Sequence, residues 1–269
     1  MGVGAFAAVL RTSVSATARR AYGAALRARY SGSGMPWRVH DQTLRIDPGV
    51  RHLVPHDSER PLYEFVRSHV AAGARVLDVG AFLGIYAVLQ ARLSGPQGRV
   101  VTIEPTAWSA NLARRHIHYN AGTGAPITLV EAAAGAARGH AMLHEYDDEP
   151  YVNALAEAAD GRGAPRLCAV EVVTLDDVCT REGIEPTFIR MDVQGAEWHV
   201  LQGAREIIRA AGRQLVIVAE THPQCWPAFA VDAGMALDTI DSLGLHAAPL
   251  EPGTELFARD GHVVLTLRG

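Results

Sequence analysis

Two glycines, Gly80 and Gly84, lie in the short segment 78–84, which has the sequence DVGAFLG. A glycine lets the backbone approach a ligand because no Cβ intervenes, and the free N–H groups at the start of a helix attract an anion. The spacing is looser than the G-x-G-x-x-G pattern of dinucleotide-binding turns, since position 82 is Phe. The segment therefore predicts a turn that binds a single carboxylate, such as that of methionine, rather than a pyrophosphate.

An acidic residue, Glu104, follows the next apolar run along the chain, residues 99–103. At the end of a strand, a carboxylate can accept both hydrogen bonds that a ribose diol donates. Asp78 lies near the end of the preceding apolar run, so we expect the two carboxylates on neighbouring strands. Together they favour a nucleoside ligand, whereas each alone is compatible with a surface carboxylate at a strand end.

Three more residues with reactive side chains, Asp192, Glu220 and His222, follow two later apolar runs. If these runs are neighbouring strands, the two carboxylates face one cleft, and His222 shares the side of Glu220 where the chain stays extended. In one interpretation His222 or Asp192 is a general base, and Asp192 or Glu220 orients a substrate. In a second, all three hold Mg²⁺ or Mn²⁺. In a third, Glu220 and His222 only cap the turn at Pro223.

Apolar runs of strand length alternate with helical patterns from residue 75 onward. The predicted core strands span residues 75–79, 99–103, 127–130, 187–191, 215–219 and 262–267. Helices are predicted over residues 61–70, 85–93, 107–119, 196–210 and 236–243. Further strands, 139–145 and 169–173, flank an irregular polar insert. This alternation predicts a doubly wound α/β fold with a parallel sheet, in which ligands bind at the carboxyl ends of the strands.

Charge separates an N-terminal arm from the rest of the chain. Residues 1–40 contain six of the 25 basic residues, and all 29 acidic residues lie beyond them. The excess of acidic residues beyond residue 40 disfavours nucleic acid as a partner, because binding to phosphates needs a positive surface. The arm is predicted to be an amphipathic helical extension, or else a targeting peptide, and is followed by a glycine-rich hinge at residues 31–34. We expect an extension over residues 1–60, through which a homo-oligomer would form, and a catalytic domain over 61–269.

Composition limits the remaining classes of protein. No run approaches the roughly 18 apolar residues of a membrane span, and three cysteines are too few and too scattered for a disulfide framework or a zinc site. All basic residues are arginine, so no lysine is available to form a Schiff base. We expect a cytoplasmic protein that binds no membrane.

The chain from about residue 63 to 244 resembles the FkbM family of methyltransferases, bacterial enzymes that mostly methylate hydroxyl groups of natural products and sugars. The matching segments are residues 76–81 (VLDVGA), 103–105 (IEP), 173–177 (VTLDD), 189–197 (IRMDVQGAE), 201–204 (LQGA) and 220–223 (ETHP). The resemblance implies a Rossmann-like, seven-stranded class I methyltransferase sheet with helices on both faces. It also implies S-adenosylmethionine as cofactor and a small-molecule acceptor.

Site residues follow from the motifs and from the resemblance together. The predicted cofactor-binding residues are Asp78, Gly80, Ala81, Phe82, Gly84, Glu104, Pro105, Ala132, Ala133 and Asp192. The predicted catalytic residues are Asp192, Glu220 and His222, of which His222 also contacts the substrate. The acidic segment 146–153 is interpreted as a solvated loop or, alternatively, as a lid over the acceptor. The resemblance implies a polar residue near Asn153 that faces the cleft, so Asn153 is a second predicted substrate contact. A metal is not favoured; if one is present, its ligands are Asp192, Glu220 and His222.

Three positions depart from the pattern of the family, which usually has Asn at Phe82, Lys at Arg190 and Glu at Gln194. Phe82 places an apolar contact near the methionine group, and Gln194 removes a charge beside Asp192. Glu197 is interpreted as a charge that complements the helix dipole, or as a brace for the turn before it, and His199 as a solvated helix residue.

Two other classes of function are weighed against a methyltransferase. A nicotinamide-dependent oxidoreductase should have a third glycine three residues after a G-x-G pair, which residues 81–83 do not supply. A catalytically inactive scaffold that keeps the cofactor fold is disfavoured by the retention of the acidic residues at the strand ends.

Overall fold

The computed structural model describes residues 16–146, 155 and 166–268. The chain divides into two compact units, one up to Ser58 and the other from Glu59 onward. No helix in the described ranges is both long enough and apolar enough to cross a membrane.

In its described part, residues 16–58, the first unit contains an α-helix, a hairpin and a 3₁₀ helix. The helix, α1 (Ala16–Tyr30), carries Arg27 and Arg29 in its last turn, where cations complement the helix dipole. Strands β1 (Met35–Val39) and β2 (Gln42–Ile46) pair antiparallel, and a 3₁₀ helix, Pro48–Leu53, follows. This hairpin was not predicted from the sequence.

The described residues of the second unit form ten further strands. These are β3 (Arg75–Val79), β4 (Arg99–Ile103), β5 (Ile127–Val130), β6 (Ala133–Ala134), β7 (Gly139–Glu145), β8 (Arg166–Val173), β9 (Phe188–Asp192), β10 (Val216–Thr221), β11 (Leu245–Pro249) and β12 (Gly261–Leu267). Seven of them form one sheet in the order β11-β12-β10-β9-β3-β4-β5. Among these seven, β12 runs antiparallel to both neighbours, and the remaining neighbours pair parallel. The predicted seven-stranded α/β sheet is therefore confirmed.

Helices cover both faces of this sheet. They are α2 (Arg60–His69), α3 (Ile85–Ser94), α4 (Ala107–Tyr119), α5 (Leu175–Glu182), α6 (Glu197–Gln202), α7 (Arg205–Ala211) and α8 (Ala233–Ser242). Apolar side chains of α2 and α3 pack against one face, for example Leu62 and Ala87 against Val76. Those of α5 to α8 pack against the other, where Val200 and Ile240 join Ile189 in the larger core. Burial of these apolar surfaces is the main force that holds the layers together.

Three details differ from the sequence-based expectations. The helix predicted over residues 196–210 is two helices, because the Asp176 carboxylate accepts hydrogen bonds from the N–H groups of Glu206 and Ile207 and so caps the second one. The predicted extra strands belong to a separate three-stranded sheet, β6-β8-β7. Strand β11 was not predicted.

Candidate functional site

The turn after β3 brings the backbone close to the end of β9. Gly80 has a φ of +82°, and a Cβ built there would lie 1.8 Å from the carbonyl oxygen of Asp192. The N–H groups of Gly80 and Ala81 both donate to the carbonyl oxygen of Ile103, at 2.9 and 3.0 Å. Only glycine fits this turn, because it alone tolerates both the positive φ and the close approach of the neighbouring strand.

A cleft opens beside this turn, at the carboxyl ends of the strands, and its empty space is about 620 Å³ when the open solvent at its mouth is included. The residues that line it are Val79, Gly80, Phe82, Ile103, Glu104, Pro105, Thr106, Ala132, Ala133, Ala134, Leu143, Leu155, Asp192, Val193, Gln194 and Ala196. Seven of the predicted cofactor-binding residues are in this set: Gly80, Phe82, Glu104, Pro105, Ala132, Ala133 and Asp192.

Glu104 is held in the cleft wall by two backbone donors. The N–H of Phe82 donates to its Oε2 at 2.8 Å, and the N–H of Thr106 donates to its Oε1 at 2.9 Å. Burial nevertheless raises the pKa of Glu104 to about 7, above the value of an exposed glutamate. Each oxygen keeps one further lone pair, so the ionised carboxylate can still accept two hydroxyl donors.

Asp78, which was predicted to bind the cofactor, is fully buried and is not among the residues that line the cleft. Its Oδ2 accepts from the Thr102 hydroxyl at 3.0 Å, and its Oδ1 lies 3.6 Å from Arg190. The Arg190 guanidinium also donates to the carbonyl oxygen of Gly80 and to Asp192, at 3.0 and 3.1 Å. Asp78 therefore compensates a buried cation that supports the turn. Ala81 and Gly84 also lie outside the lining, and Gly84 begins α3.

The three predicted catalytic residues meet at the ends of β9 and β10. Glu220 pairs with Asp192 in the parallel register of the two strands. The Nε2 atom of His222 lies 3.7 Å from Glu220 Oε1 and 4.0 Å from Asp192 Oδ1. One ligand atom from each of the three residues lies within 4.8 Å of the other two. The strand ends thus bring together the side chains that the sequence analysis grouped.

Glu197 is the main residue of this region whose contacts the sequence analysis did not foresee. Its side chain is fully buried rather than a surface charge at a helix terminus. Oε1 accepts from the N–H of Gly195 at 2.8 Å and lies 3.0 Å from His222 Nδ1, and Oε2 accepts from the indole N–H of Trp226 at 3.1 Å. The alternative that Glu197 braces the Gly195 turn therefore matches the observed contact.

The second nitrogen of His222 also has a polar neighbour. The amide nitrogen of Gln194 lies 3.1 Å from His222 Nε2 and 2.9 Å from Asp192 Oδ1. One amide group donates to both only when Nε2 carries a lone pair, which describes the neutral ring with its proton on Nδ1. Burial lowers the pKa of His222, but the bond to Glu197 and the nearby carboxylates outweigh burial and raise it to about 9. The charged ring requires the Gln194 amide to turn so that its oxygen faces Nε2.

Two other predictions concern this region. Asn153 lies outside the described residues, although Leu155 lines the cleft. His199 was interpreted as solvated, but it is only partly exposed, and its ring lies 6.2 Å from that of Phe229. Val193 and Gln194 line the cleft but were not predicted to do so. Both belong to the motif at residues 189–197, which could have indicated them.

The residues of the cleft fit S-adenosylmethionine. Glu104 offers two acceptor oxygens for a diol, and the small side chains Ala132, Ala133 and Ala134 leave room for a flat ring. At the other end, the partly exposed Asp192 carboxylate suits a positively charged sulfur.

The strand order, with β12 reversed, and the glycine turn beside the cleft define a class I methyltransferase. The model of the methyltransferase FkbM domain matches residues 78–244, which is more than half of the chain. The protein therefore belongs to the FkbM family of S-adenosylmethionine-dependent methyltransferases. No curated protein sequence matches the chain.

Three solved structures with similar folds are two methyltransferases and a fibrillarin in complex with S-adenosyl-L-methionine. The precorrin-6y C5,15-methyltransferase of Geobacter metallireducens is 13% identical, with 79% of this chain and 90% of that chain covered and a TM-score of 0.45. A SAM-dependent methyltransferase of Aquifex aeolicus is 13% identical, with 77% and 89% covered and a TM-score of 0.44. The fibrillarin of Aeropyrum pernix, in complex with S-adenosyl-L-methionine, is 13% identical, with 77% and 74% covered and a TM-score of 0.43.

Proposed function

We propose that this methyltransferase transfers the methyl group to a hydroxyl of a small molecule, such as a natural product or a sugar, and that His222 takes the hydroxyl proton. The observation that carries the proposal is the Glu197–His222 pair, which adjoins Asp192 at the end of the cofactor cleft. A neutral alcohol is a weak nucleophile, so a base within reach of it raises the rate of attack.

S-adenosylmethionine, when bound, supplies a methyl group on a positively charged sulfur. The protein has to align the acceptor oxygen with this methyl group and to remove the proton. In the proposal, Glu104 and the glycine turn hold the cofactor, and Asp192 lies where the cleft meets the three-residue cluster. Asp192 then orients the acceptor while His222 receives its proton.

The hydrogen bonds of His222 explain why it, rather than a carboxylate, is the proposed base. Glu197 accepts from Nδ1, so the neutral ring carries its proton there and has a lone pair on Nε2, which lies 3.1 Å from the Gln194 amide nitrogen. Because Glu197 and the nearby carboxylates raise the pKa of His222 to about 9, the ring is mostly charged at pH 7, and the fraction in the base form grows as the pH rises towards 9. An acceptor hydroxyl that displaces the Gln194 amide would present its proton to the same lone pair.

A metal held by Asp192, Glu220 and His222 is the weaker alternative. Both ring nitrogens of His222 already have hydrogen-bond partners, so a metal would have to displace Gln194 before the ring could bind it. For His222 to act as a base, the acceptor hydroxyl only has to replace the Gln194 amide as the hydrogen-bond partner of Nε2.

The charge of the cluster favours a neutral acceptor. Asp192 and Glu220 are both partly exposed and lie within a few ångströms of His222. Burial and the nearby Asp192 raise the pKa of Glu220 to about 8, so the repulsion of a carboxylate acceptor at neutral pH comes from Asp192, whereas a hydroxyl group would meet oxygen acceptors. The cytoplasmic location, the absence of a nucleic-acid partner, the bacterial origin and an oligomer formed through the N-terminal arm stay predictions from the sequence.

A panel of sugars, polyols and other hydroxylated metabolites, incubated with the enzyme and methyl-labelled S-adenosylmethionine, tests the proposal. We expect label in an O-methyl ether of at least one compound. The matched variants are His222→Asn, which keeps a donor to Glu197, and His246→Ala, which alters an exposed histidine of β11. Labelling of amines or carboxylates alone, or full activity of His222→Asn, would refute it.

A further inference from the structure

A second group of side chains that could bind a metal, Glu59, Glu220 and His262, lies next to the group Asp192, Glu220 and His222. The two groups share Glu220. Glu220 faces His222 with Oε1, and its other oxygen, Oε2, lies 3.7 Å from Nε2 of His262. The same His262 nitrogen lies 3.8 Å from Oε1 of Glu59. Glu59, Glu220 and His262 therefore converge on one point from three parts of the chain.

The sheet itself places two of these residues. His262 pairs with Glu220 in the antiparallel register of β12 and β10, and Glu220 pairs with Asp192 across β10 and β9. Directly paired residues point to the same face of a sheet. Glu59 is the residue before α2, the helix that packs on this face. The convergence thus follows from strand register and from one helix terminus.

His262 differs from His222 in its hydrogen bonds. Nε2 of His262 is buried and has no hydrogen-bond partner among the described residues, although two carboxylate oxygens lie within 4 Å of it. Buried polar atoms are rarely left unpaired, so this nitrogen points to a ligand that satisfies it.

The spacing of the three side chains suits a metal ion better than direct contact. Distances of 3.7 and 3.8 Å are too long for hydrogen bonds. Ligand atoms around an ion with bonds of about 2.1 Å lie roughly 3.0 to 3.4 Å apart. Side-chain movements of about half an ångström therefore bring the His262 nitrogen and each of the two carboxylate oxygens to the separation of two ligands of one ion.

The charges of the region also favour a cation. Glu59 and Glu220 face the point, and Arg190, the buried cation nearby, is already paired with Asp78 and Asp192. A positive ion between Glu59 and Glu220 would reduce their mutual repulsion.

We propose that Glu59, Glu220 and His262 form a binding site for a divalent first-row transition-metal ion, separate from the base His222 and joined to it through the carboxylate of Glu220. One imidazole and two carboxylates favour Mn²⁺, Fe²⁺ or Zn²⁺ over Mg²⁺ or Ca²⁺. The site goes beyond the proposed function, because its occupancy does not depend on which acceptor is methylated.

Mn²⁺ binding tests this site without any measurement of activity. The full chain, freed of any polyhistidine tag, is titrated with MnCl₂, and the free ion is followed by electron paramagnetic resonance and the heat by calorimetry. We expect one ion per chain. His262→Ala and Glu59→Gln should each weaken binding about tenfold or more, and His246→Ala should bind like the wild type.

The variants also separate the two clusters. If the ion sits with Asp192 and His222 instead, His222→Asn loses Mn²⁺ binding and His262→Ala keeps it, which would overturn the proposal. Absence of binding to the wild type at millimolar Mn²⁺ would overturn it as well. Glu59 is partly exposed and precedes a helix, so Glu59→Gln keeps the test valid should His262→Ala fail to fold.

Discussion

Cofactor affinity should depend on pH through Glu104. Burial raises its pKa to about 7 in the ligand-free protein. A ribose diol donates two hydrogen bonds, and only the ionised carboxylate accepts both while it keeps its bonds from the N–H groups of Phe82 and Thr106. Binding therefore selects the ionised form and lowers the pKa of Glu104.

The size of the effect follows from this pKa. At pH 5.5 about 3% of Glu104 is ionised, and at pH 8 about 90% is. If the neutral form binds negligibly, the dissociation constant falls about 30-fold between these two values. Below pH 7, binding should release close to one proton.

Calorimetry with S-adenosylhomocysteine from pH 5.5 to 8, in buffers of different ionisation enthalpy, measures both quantities. Glu104→Gln is the control, because an amide offers one acceptor instead of two and does not titrate. It should bind weakly at every pH and release no proton at this site. A flat affinity profile in the wild type, or an equal slope in Glu104→Gln, would refute the assignment of Glu104 to the ribose.

The same pKa has a consequence for stability. Because the folded-state pKa lies above the ordinary value of 4.5, the folded protein holds the proton more tightly than the unfolded chain does. The contribution of Glu104 is present below about pH 4.5 and is lost as the pH rises through about 7. It amounts to at most about 3 kcal/mol. Urea unfolding of the ligand-free wild type and of Glu104→Gln at these pH values separates it from other groups.

Three substitutions test the rest of the site. His222→Asn should lower kcat about 10²- to 10⁴-fold while the affinity for S-adenosylhomocysteine stays unchanged, since a base is lost and no cleft residue is altered. Glu197→Gln removes a buried charge that accepts three hydrogen bonds and should lower the free energy of urea unfolding by about 2 to 3 kcal/mol. Gly80→Ala should abolish cofactor binding in calorimetry, because its Cβ would lie 1.8 Å from the carbonyl oxygen of Asp192. Its control is Gly73→Ala, which has a similar φ of +83° and open space around the added Cβ, and should cost about 1 kcal/mol of stability with binding unchanged.

A specific experimental result would contradict each of these three predictions. If His222→Asn binds the cofactor more weakly than the wild type, His222 contributes to cofactor binding and is not only a base. Unchanged unfolding of Glu197→Gln would mean that its contacts are replaceable. Equal effects of the two alanine substitutions would show that the positive φ, and not the approach of β9, makes Gly80 necessary.

The sequence predicted the central sheet well because its parallel strands are buried on both faces. Runs such as residues 75–79 and 99–103 are mostly apolar and bounded by polar or glycine-containing segments, so their bounds can be predicted from the sequence. The hairpin Met35–Val39 and Gln42–Ile46 has only alternate residues buried, and β11 contains small, partly exposed residues. Neither pattern stands out from a loop in a single sequence.

The break in the helix predicted over residues 196–210 shows a different limit. The segment keeps a helical apolar pattern across Gly203, so periodicity predicts one helix. Two tertiary contacts end it there. A Cβ at Gly203 would lie 2.1 Å from the carbonyl oxygen of Gly135, and Asp176 caps the helix that follows.

Site residues that lie at the ends of neighbouring strands could be predicted from the sequence. Contacts between side chains that are far apart in the sequence could not. Asp192 and Glu220 meet because equivalent ends of parallel neighbours meet. Glu197 looks like an ordinary acidic residue in a first helical turn, since its partners His222 and Trp226 lie 25 and 29 residues away. Asp78 was assigned to the cleft because a strand-end motif does not reveal which side chain points inward.

A crystal structure of the protein with S-adenosylhomocysteine tests the central claim most directly. The account predicts the ribose hydroxyls within hydrogen-bond distance of Glu104, the adenine against Ala132 to Ala134, and the sulfur at the end of the cleft nearest to Asp192 and His222. A ligand bound elsewhere, or bound with its sulfur at the end of the cleft away from His222, would contradict it.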